Sequence, residues 1–317
     1  MKKLFALAIS AVALLAFTAC GAAPQEAPPA PQTALTDPNG FQAPADADLG
    51  GASRPIRIGI MSPELQYDYL KTEAQQLGIH IEYVTFTDYV QPNPATANGE
   101  LDLNQFQHVL FLAGYNNESG QPLEALQSTA IYPLSLYSAQ FKSVAEIPSG
   151  GQVAIPNDET NQARAISVLA QNGLLKVKEG TDLLYATPLD IVEAESKVAV
   201  VPVSAEQTPR SLDDPNIAAA IINNTFALDA DLDPADAIAA DDPNDPGSAP
   251  FINIWAGTAE IKDNPVIQKV LELARTKQWQ DDLQAQSKGS AAIVDTSPAE
   301  LQATLADVAA QLKAHAK

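Results

Sequence analysis

The sequence is short of the residues on which most reaction chemistry depends. Its 317 residues include one cysteine, Cys20, and three histidines, His80, His108 and His315. One cysteine excludes an internal disulfide, and so few thiols and imidazoles exclude a thiol enzyme or a multi-histidine metal centre. Basic residues are also scarce, with 18 Lys+Arg against 39 Asp+Glu and a formal charge of −21. Such a surface repels phosphate backbones, which excludes nucleic acid as a partner. P-loop, GxGxxG, HExxH, CxxC and GxSxG patterns are all missing. Asp229, Asp231 and Asp233 open like a calcium loop, but Pro234 stands at the sixth position and Ala240 at the twelfth, so that reading fails. The acid pairs Asp213-Asp214 and Asp281-Asp282 are sequence neighbours whose side chains diverge. The chain therefore reads as a non-enzyme with no cofactor and no metal.

The one long apolar run is Leu4 to Phe17, broken only by Ser10 and preceded by Lys2 and Lys3. A spanning helix needs about 20 apolar residues, so residues 1–19 read as a signal peptide. Phe17-Thr18-Ala19-Cys20-Gly21 resembles the lipobox of bacterial lipoproteins, with Phe17 where leucine is usual. That resemblance implies lipidation at Cys20 and attachment to a cell membrane, facing the extracytoplasmic side. Pro24, Pro28, Pro29, Pro31, Pro38 and Pro44 follow without apolar periodicity, so residues 20–54 are expected to form the lipidated cysteine and a disordered tether.

The remaining length suits about two units of roughly 100–150 residues. Ile56 to Ile60 reads as a strand, Ser62-Pro63 as a helix cap and first turn, and Ile79 to Phe86 as the next strand. This rhythm predicts an α/β fold with parallel sheets and crossover helices. Asp88 and Gln91 suggest a capped short helix, interrupted by Pro92 and Pro94. Leu101 to Leu103 reads as a short strand and Phe106 to Tyr115 as a helix. Leu183 to Val192 is read as a strand and helix, Val198 to Val203 as a buried strand, and Ser297 onward as a C-terminal helix with Leu301, Leu305, Val308 and Leu312 on one face.

Aromatic and imidazole side chains gather between Thr85 and Leu112, at the beginnings of elements, where ligand-facing side chains tend to lie. Arg164 is expected in or near the first turn of a helix, where a cation opposes the macrodipole unless an anion sits beside it. That anion is either Asp158 or Glu159, or a ligand carboxylate held by the guanidinium fork. Asn223 ends an apolar strand, where it either satisfies local backbone groups or meets a ligand.

FTDYVQPN, GELDxNxFQH, AIPND-x-TN-x-x-RA, LLxATPxDI and PRSLDD occur here in the order found in the methionine-binding lipoprotein (MetQ/NlpA) family, which the chain resembles from Ile56 to Lys288. The resemblance implies a two-lobed periplasmic-binding-protein fold of type II, each lobe a mainly parallel sheet flanked by helices. Residues 55–135 plus 250–317 would form lobe 1, with an extra C-terminal helix, and residues 136–249 lobe 2. It also implies a monomeric substrate-binding lipoprotein that captures L-methionine for an ABC permease/ATPase complex. Another small apolar amino acid, a methionine-containing dipeptide, or an interaction role at the surface are the alternatives. Residue by residue, the resemblance puts Phe86, Tyr89, Phe106 and His108 around the ligand side chain. It puts Arg164, helped by Asn161, on the α-carboxylate, and Asn223 on the α-ammonium. Phe111 and Phe226 stand where the family often has tyrosine, Ala163 where it has glycine, and Pro94 where it has an apolar helix former.

Overall fold

The computed structural model describes residues 40–315. The signal peptide, Cys20 and the first part of the tether lie outside the described residues. From Gly40 the chain is already folded, so the tether does not extend to Arg54 as expected. Phe41 and Leu49 pack on a hydrophobic core. The Gly50 N–H donates to the Arg54 carbonyl at 2.8 Å, the His80 N–H donates to the Gly50 carbonyl at 2.8 Å, and Arg54 pairs with Asp102 at 2.9 Å. These apolar contacts, backbone hydrogen bonds and the ion pair hold residues 40–54 against the rest of the chain.

The first sheet combines β1 (Ile56–Ile60), β2 (Ile81–Thr85), β3 (Leu103–His108), β4 (Glu124–Ser128) and β11 (Asn253–Gly257), in the order β2-β1-β3-β11-β4. β1 pairs parallel with β2 and β3, whereas β11 runs antiparallel to both β3 and β4. β5 (Ala130–Ile131) and β12 (Ala292–Ile293) pair antiparallel as a separate two-stranded piece. The second sheet has the order β10-β6-β9-β7-β8, from β6 (Ser135–Tyr137), β7 (Gly151–Pro156), β8 (Val198–Val203), β9 (Ile217–Ile222) and β10 (Ala239–Ala240). β7 pairs parallel with β8 and β9. The result is a two-lobed mixed α/β fold. β9 is buried throughout, but β8 is an edge strand with Ala199 and Pro202 exposed, not the buried strand expected.

Helices flank both sheets: α1 (Leu65–Gln76), α2 (Pro92–Ala97), α3 (Val109–Ser119), α4 (Glu159–Gln171), α5 (Asn224–Asp229), α6 (Pro265–Leu273), α7 (Lys277–Gln286) and α8 (Pro298–His315). Several differ from their sequence-based expectation for local reasons. Ser62 does not cap α1; its hydroxyl donates to Asp229 Oδ1 at 2.8 Å and the helix starts later. Asp88 closes a turn on the Val90 N–H instead of capping a helix, and α2 begins at Pro92, which fits a first-turn position. Phe106 to His108 belong to β3, and His108 caps α3. The segment 183–192 forms two single 3₁₀ turns, because Asp190 accepts from the Thr187 N–H and hydroxyl at 2.9 and 2.8 Å and closes the chain at Pro188.

α8 lays Leu301, Leu305, Val308 and Leu312 on a core with Val109, Leu112, Leu123 and Ile254. Its far end reaches the 3₁₀ turn after α4: the Tyr185 hydroxyl donates to Gln311 Oε1 at 3.0 Å, and the Tyr185 and His315 rings stack at 4.4 Å. No helix among the described residues is long and apolar enough to cross a membrane.

Candidate functional site

The carboxyl ends of β3, β7 and β9 point into one cleft, the position at which open α/β sheets hold ligands. The cleft has a void of about 670 Å³, solvent at its mouth included. Tyr89, Phe106, His108, Asn161, Arg164 and Asn223 all line it, so six of the seven expected ligand-binding residues converge. Phe86 does not line it. Its ring packs in the adjoining apolar cluster with its edge close over Gly59, where the missing side chain makes room.

The first strand of this wall is fixed from behind. Asn93 and Gln107 exchange side-chain amide hydrogen bonds at 2.7 and 2.6 Å, and Asn104 donates to Asn93 at 3.1 Å and Thr96 at 2.8 Å. These buried, mutually satisfied amides tie α2 to β3 and set the directions of Phe106 and His108. In front of them the rings form a cluster. Tyr89 lies 5.9 Å from Phe106, 6.1 Å from Phe111 and 4.9 Å from Phe226, and Phe106 meets Phe111 edge-on at 5.8 Å. Phe226 comes from α5, which follows β9 of the second sheet, so aromatic rings attached to both sheets meet here. Phe111, one of the rings of the aromatic stretch before Leu112, thus lines the cleft, and Phe226, noted in the sequence only as a departure, backs it.

His108 is neutral. Its Nδ1 accepts from the Phe111 N–H at 3.1 Å and its Nε2 meets Asn161 Oδ1 at 3.3 Å, which assigns the proton to Nε2. Burial, followed by the nearby Arg164 charge, lowers its pKa to about 3. Asn161 Oδ1 also accepts from Asn223 Nδ2 at 2.9 Å, and the Asn161 amide nitrogen donates to the Asp158 carboxylate at 2.9 and 3.1 Å. Asp158 caps α4 by accepting from the Asn161 N–H at 3.0 Å; its burial raises its pKa. This chain leaves Asn223 Oδ1 buried and without a hydrogen-bond partner among the described residues.

Arg164 corrects the expectation in two ways. α4 begins at Glu159, which places Arg164 in the second turn, and its protein anion is neither Asp158 nor Glu159. Nε donates to Asp241 Oδ2 at 2.6 Å, Nη2 donates to Asp241 Oδ1 at 3.1 Å, and Nη2 also donates to the Tyr132 carbonyl at 2.8 Å. The Phe251 ring lies 4.2 Å from Cζ. Nη1 has no hydrogen-bond partner among the described residues.

Sequence reasoning missed Glu64, Asn253 and Phe251. Glu64 and Asn253 line the cleft, while Phe251 backs Arg164 and His108. An amide opening an otherwise apolar strand, as Asn253 does in β11, was the signal available. Chemically the cleft offers a guanidinium N–H, a carboxyl, an orphan amide oxygen and a ring-lined recess, a set suited to binding a small zwitterion.

A cleft of this kind between two sheet-based lobes is the arrangement of a substrate-binding protein. The sequence profile described as NlpA lipoprotein matches residues 56–294, and the chain belongs to that family. It is 39% identical over 203 residues to the D-methionine-binding lipoprotein MetQ of Escherichia coli K12, covering 64% of this chain and 73% of that one. Protein PG110 of Staphylococcus aureus superimposes with a TM-score of 0.76 at 34% identity, covering 80% of this chain and 99% of that one. A nutrient binding protein from Burkholderia cenocepacia bound to methionine gives 0.68 at 32% identity, covering 75% and 99%. α8 begins beyond the matched residues.

Proposed function

We propose that this chain captures methionine or a close analogue as a zwitterion between its two lobes and delivers it to the permease of an ABC importer. A lipid on Cys20 would hold it at the extracytoplasmic face of a cell membrane. Lobe 1, residues 55–135 plus 250–317, supplies the ring wall, and lobe 2, residues 136–249, supplies Asn161, Arg164 and Asn223. The Arg164 Nη1 N–H meets the α-carboxylate, and Asn161 orients Asn223. Tyr89, Phe106, Phe111 and His108 receive the thioether, with roughly 0.3–1.5 kcal/mol per sulfur–ring contact. A ligand touching both lobes favours the closed state by its differential affinity for it.

The observation that carries this reading is the Asn223 amide oxygen, buried, unpartnered and beside the cavity that Arg164 also lines. A buried acceptor without a donor costs about 1–3 kcal/mol, and a ligand ammonium removes that cost. The Arg164–Asp241 pair favours a second reading, a surface lipoprotein with an interaction role that has no small ligand. Denaturing the purified protein and identifying released molecules by mass spectrometry separates the two. Release of methionine or a methionyl compound, with a raised melting temperature on adding it back, supports transport. Empty protein that responds to neither methionine enantiomer nor a methionyl dipeptide supports the second reading.

A further inference from the structure

Glu64 is the acidic residue lining the cleft, and Arg164 is the basic one. The guanidinium is already matched by Asp241, so Glu64 has no cation in ion-pair reach among the described residues. It occupies the N-cap position of α1, where a carboxylate would ordinarily accept from its own helix's N–H groups, yet its side chain makes no capping bond. Oε2 accepts from the Gln66 side-chain amide, and Oε1 accepts from no described group. A carboxylate held this way, half-buried and without a counter-ion, is stabilised when a proton or a cation joins it.

Resting on the reading of the cleft as an amino-acid site, we propose that Glu64 is the counter-ion of the ligand's α-ammonium group. It thereby selects α-amino ligands over des-amino ones. Asn223 Oδ1 would supply a second, neutral acceptor to the same ammonium. The charged and titratable groups facing Glu64 are Asp229 from α5, Tyr67 on its own helix, and Tyr89 and Tyr132 from the cleft wall. None of these is a cation. Burial, with Asp229 adding repulsion and the Gln66 hydrogen bond opposing, pushes the Glu64 carboxyl up to about 7 in the empty site. An arriving ammonium lowers it again, so binding just below neutrality releases a proton and tightens as pH rises.

The test is calorimetric titration of the full chain with L-methionine and with its des-amino analogue, 4-methylthiobutanoate, for the wild type and Glu64→Gln. Wild type should prefer the amino acid, and Glu64→Gln should lose roughly 10- to 100-fold of affinity for it while binding the des-amino acid unchanged. Titrations of the wild type at pH 6 in buffers of different ionisation enthalpy should show proton release on binding. The apo melting temperature of Glu64→Gln at pH 8 should equal or exceed that of the wild type, which separates lost recognition from lost folding. Unchanged methionine affinity in Glu64→Gln, or no proton release from the wild type, overturns the assignment of Glu64 alone. A wild type that binds neither methionine enantiomer nor any other α-amino acid in a panel overturns the amino-acid reading and this assignment with it.

Discussion

Arg164 and Asp241, 77 positions apart, form a two-point ion pair at 2.6 and 3.1 Å in which both side chains are largely removed from solvent. Asp241 also accepts the Leu134 N–H at 2.8 Å. One carboxylate therefore aligns the cleft's guanidinium and anchors the segment between β5 and β6. Removing one partner of such a pair leaves an uncompensated charge, at a cost of about 3–5 kcal/mol. Asp241→Asn should lower the unfolding free energy by that amount, read as a lower urea midpoint at an unchanged m-value. A loss below about 1 kcal/mol would mean that the pair does not hold the guanidinium in place.

Two cleft groups, buried His108 and half-buried Glu64, should give opposite pH dependences. The folded-state pKa of His108 lies near 3, below its ordinary 6.5, so its contribution is present above 6.5 and is lost as pH falls. Glu64 is raised to about 7, so its contribution is present at low pH and is lost as pH rises from its ordinary 4.5 through 7. Each can reach about 1.4 kcal/mol per pH unit, and between pH 5 and 6.5 they oppose each other. Wild-type stability should be nearly flat there. His108→Gln should become more stable on acidification and Glu64→Gln less stable, as read by denaturant unfolding at stepped pH. Identical slopes in all three proteins would refute both assignments.

Phe86 and Phe106 separate the lining of the cleft from its support. Phe106 lines the cavity and Phe86 does not. Phe106→Ala should weaken methionine binding at least about tenfold, whereas Phe86→Ala should cost about 1–3 kcal/mol of stability, since its ring is only partly buried, and leave affinity within about threefold. Equal losses of affinity would put Phe86 back in the wall.

α8 contributes to the core and is more than an appended tail. Leu301 is fully buried against α3 and β4. Leu301→Ala should cost about 2–5 kcal/mol in chemical unfolding. A neutral result would show that the helix is dispensable for the fold.

Much of this arrangement was legible in the sequence, for reasons that differ by residue. Local signals placed β1 and the apolar face of α8, because strand periodicity and the 301-305-308-312 spacing are encoded within each segment. Tyr89, Phe106, His108, Asn161, Arg164 and Asn223 were found from a run of motifs in order, and they do share one cleft. What stayed hidden was tertiary. Asp241 sits in an acidic, proline-punctuated stretch where nothing local marks one carboxylate as the partner of an arginine 77 residues earlier. Glu64 carried no mark of a site residue because a cap position and a cavity wall have the same local signature. Residues 40–54 looked disordered because the anchoring by Phe41, Leu49 and Arg54 depends on surfaces that exist only after folding.

Replacing Arg164 would strand Asp241 and confuse binding with folding, so the decisive variation belongs in the ligand. Calorimetric titration of the wild-type chain with L-methionine, its methyl ester and N-acetylmethionine tests directly whether the cleft holds a zwitterion by both of its charges. Saturable binding of the free amino acid, with each blocked derivative at least about 100-fold weaker, is the predicted result. Equal affinity for all three, or no heat with any of them, would contradict it.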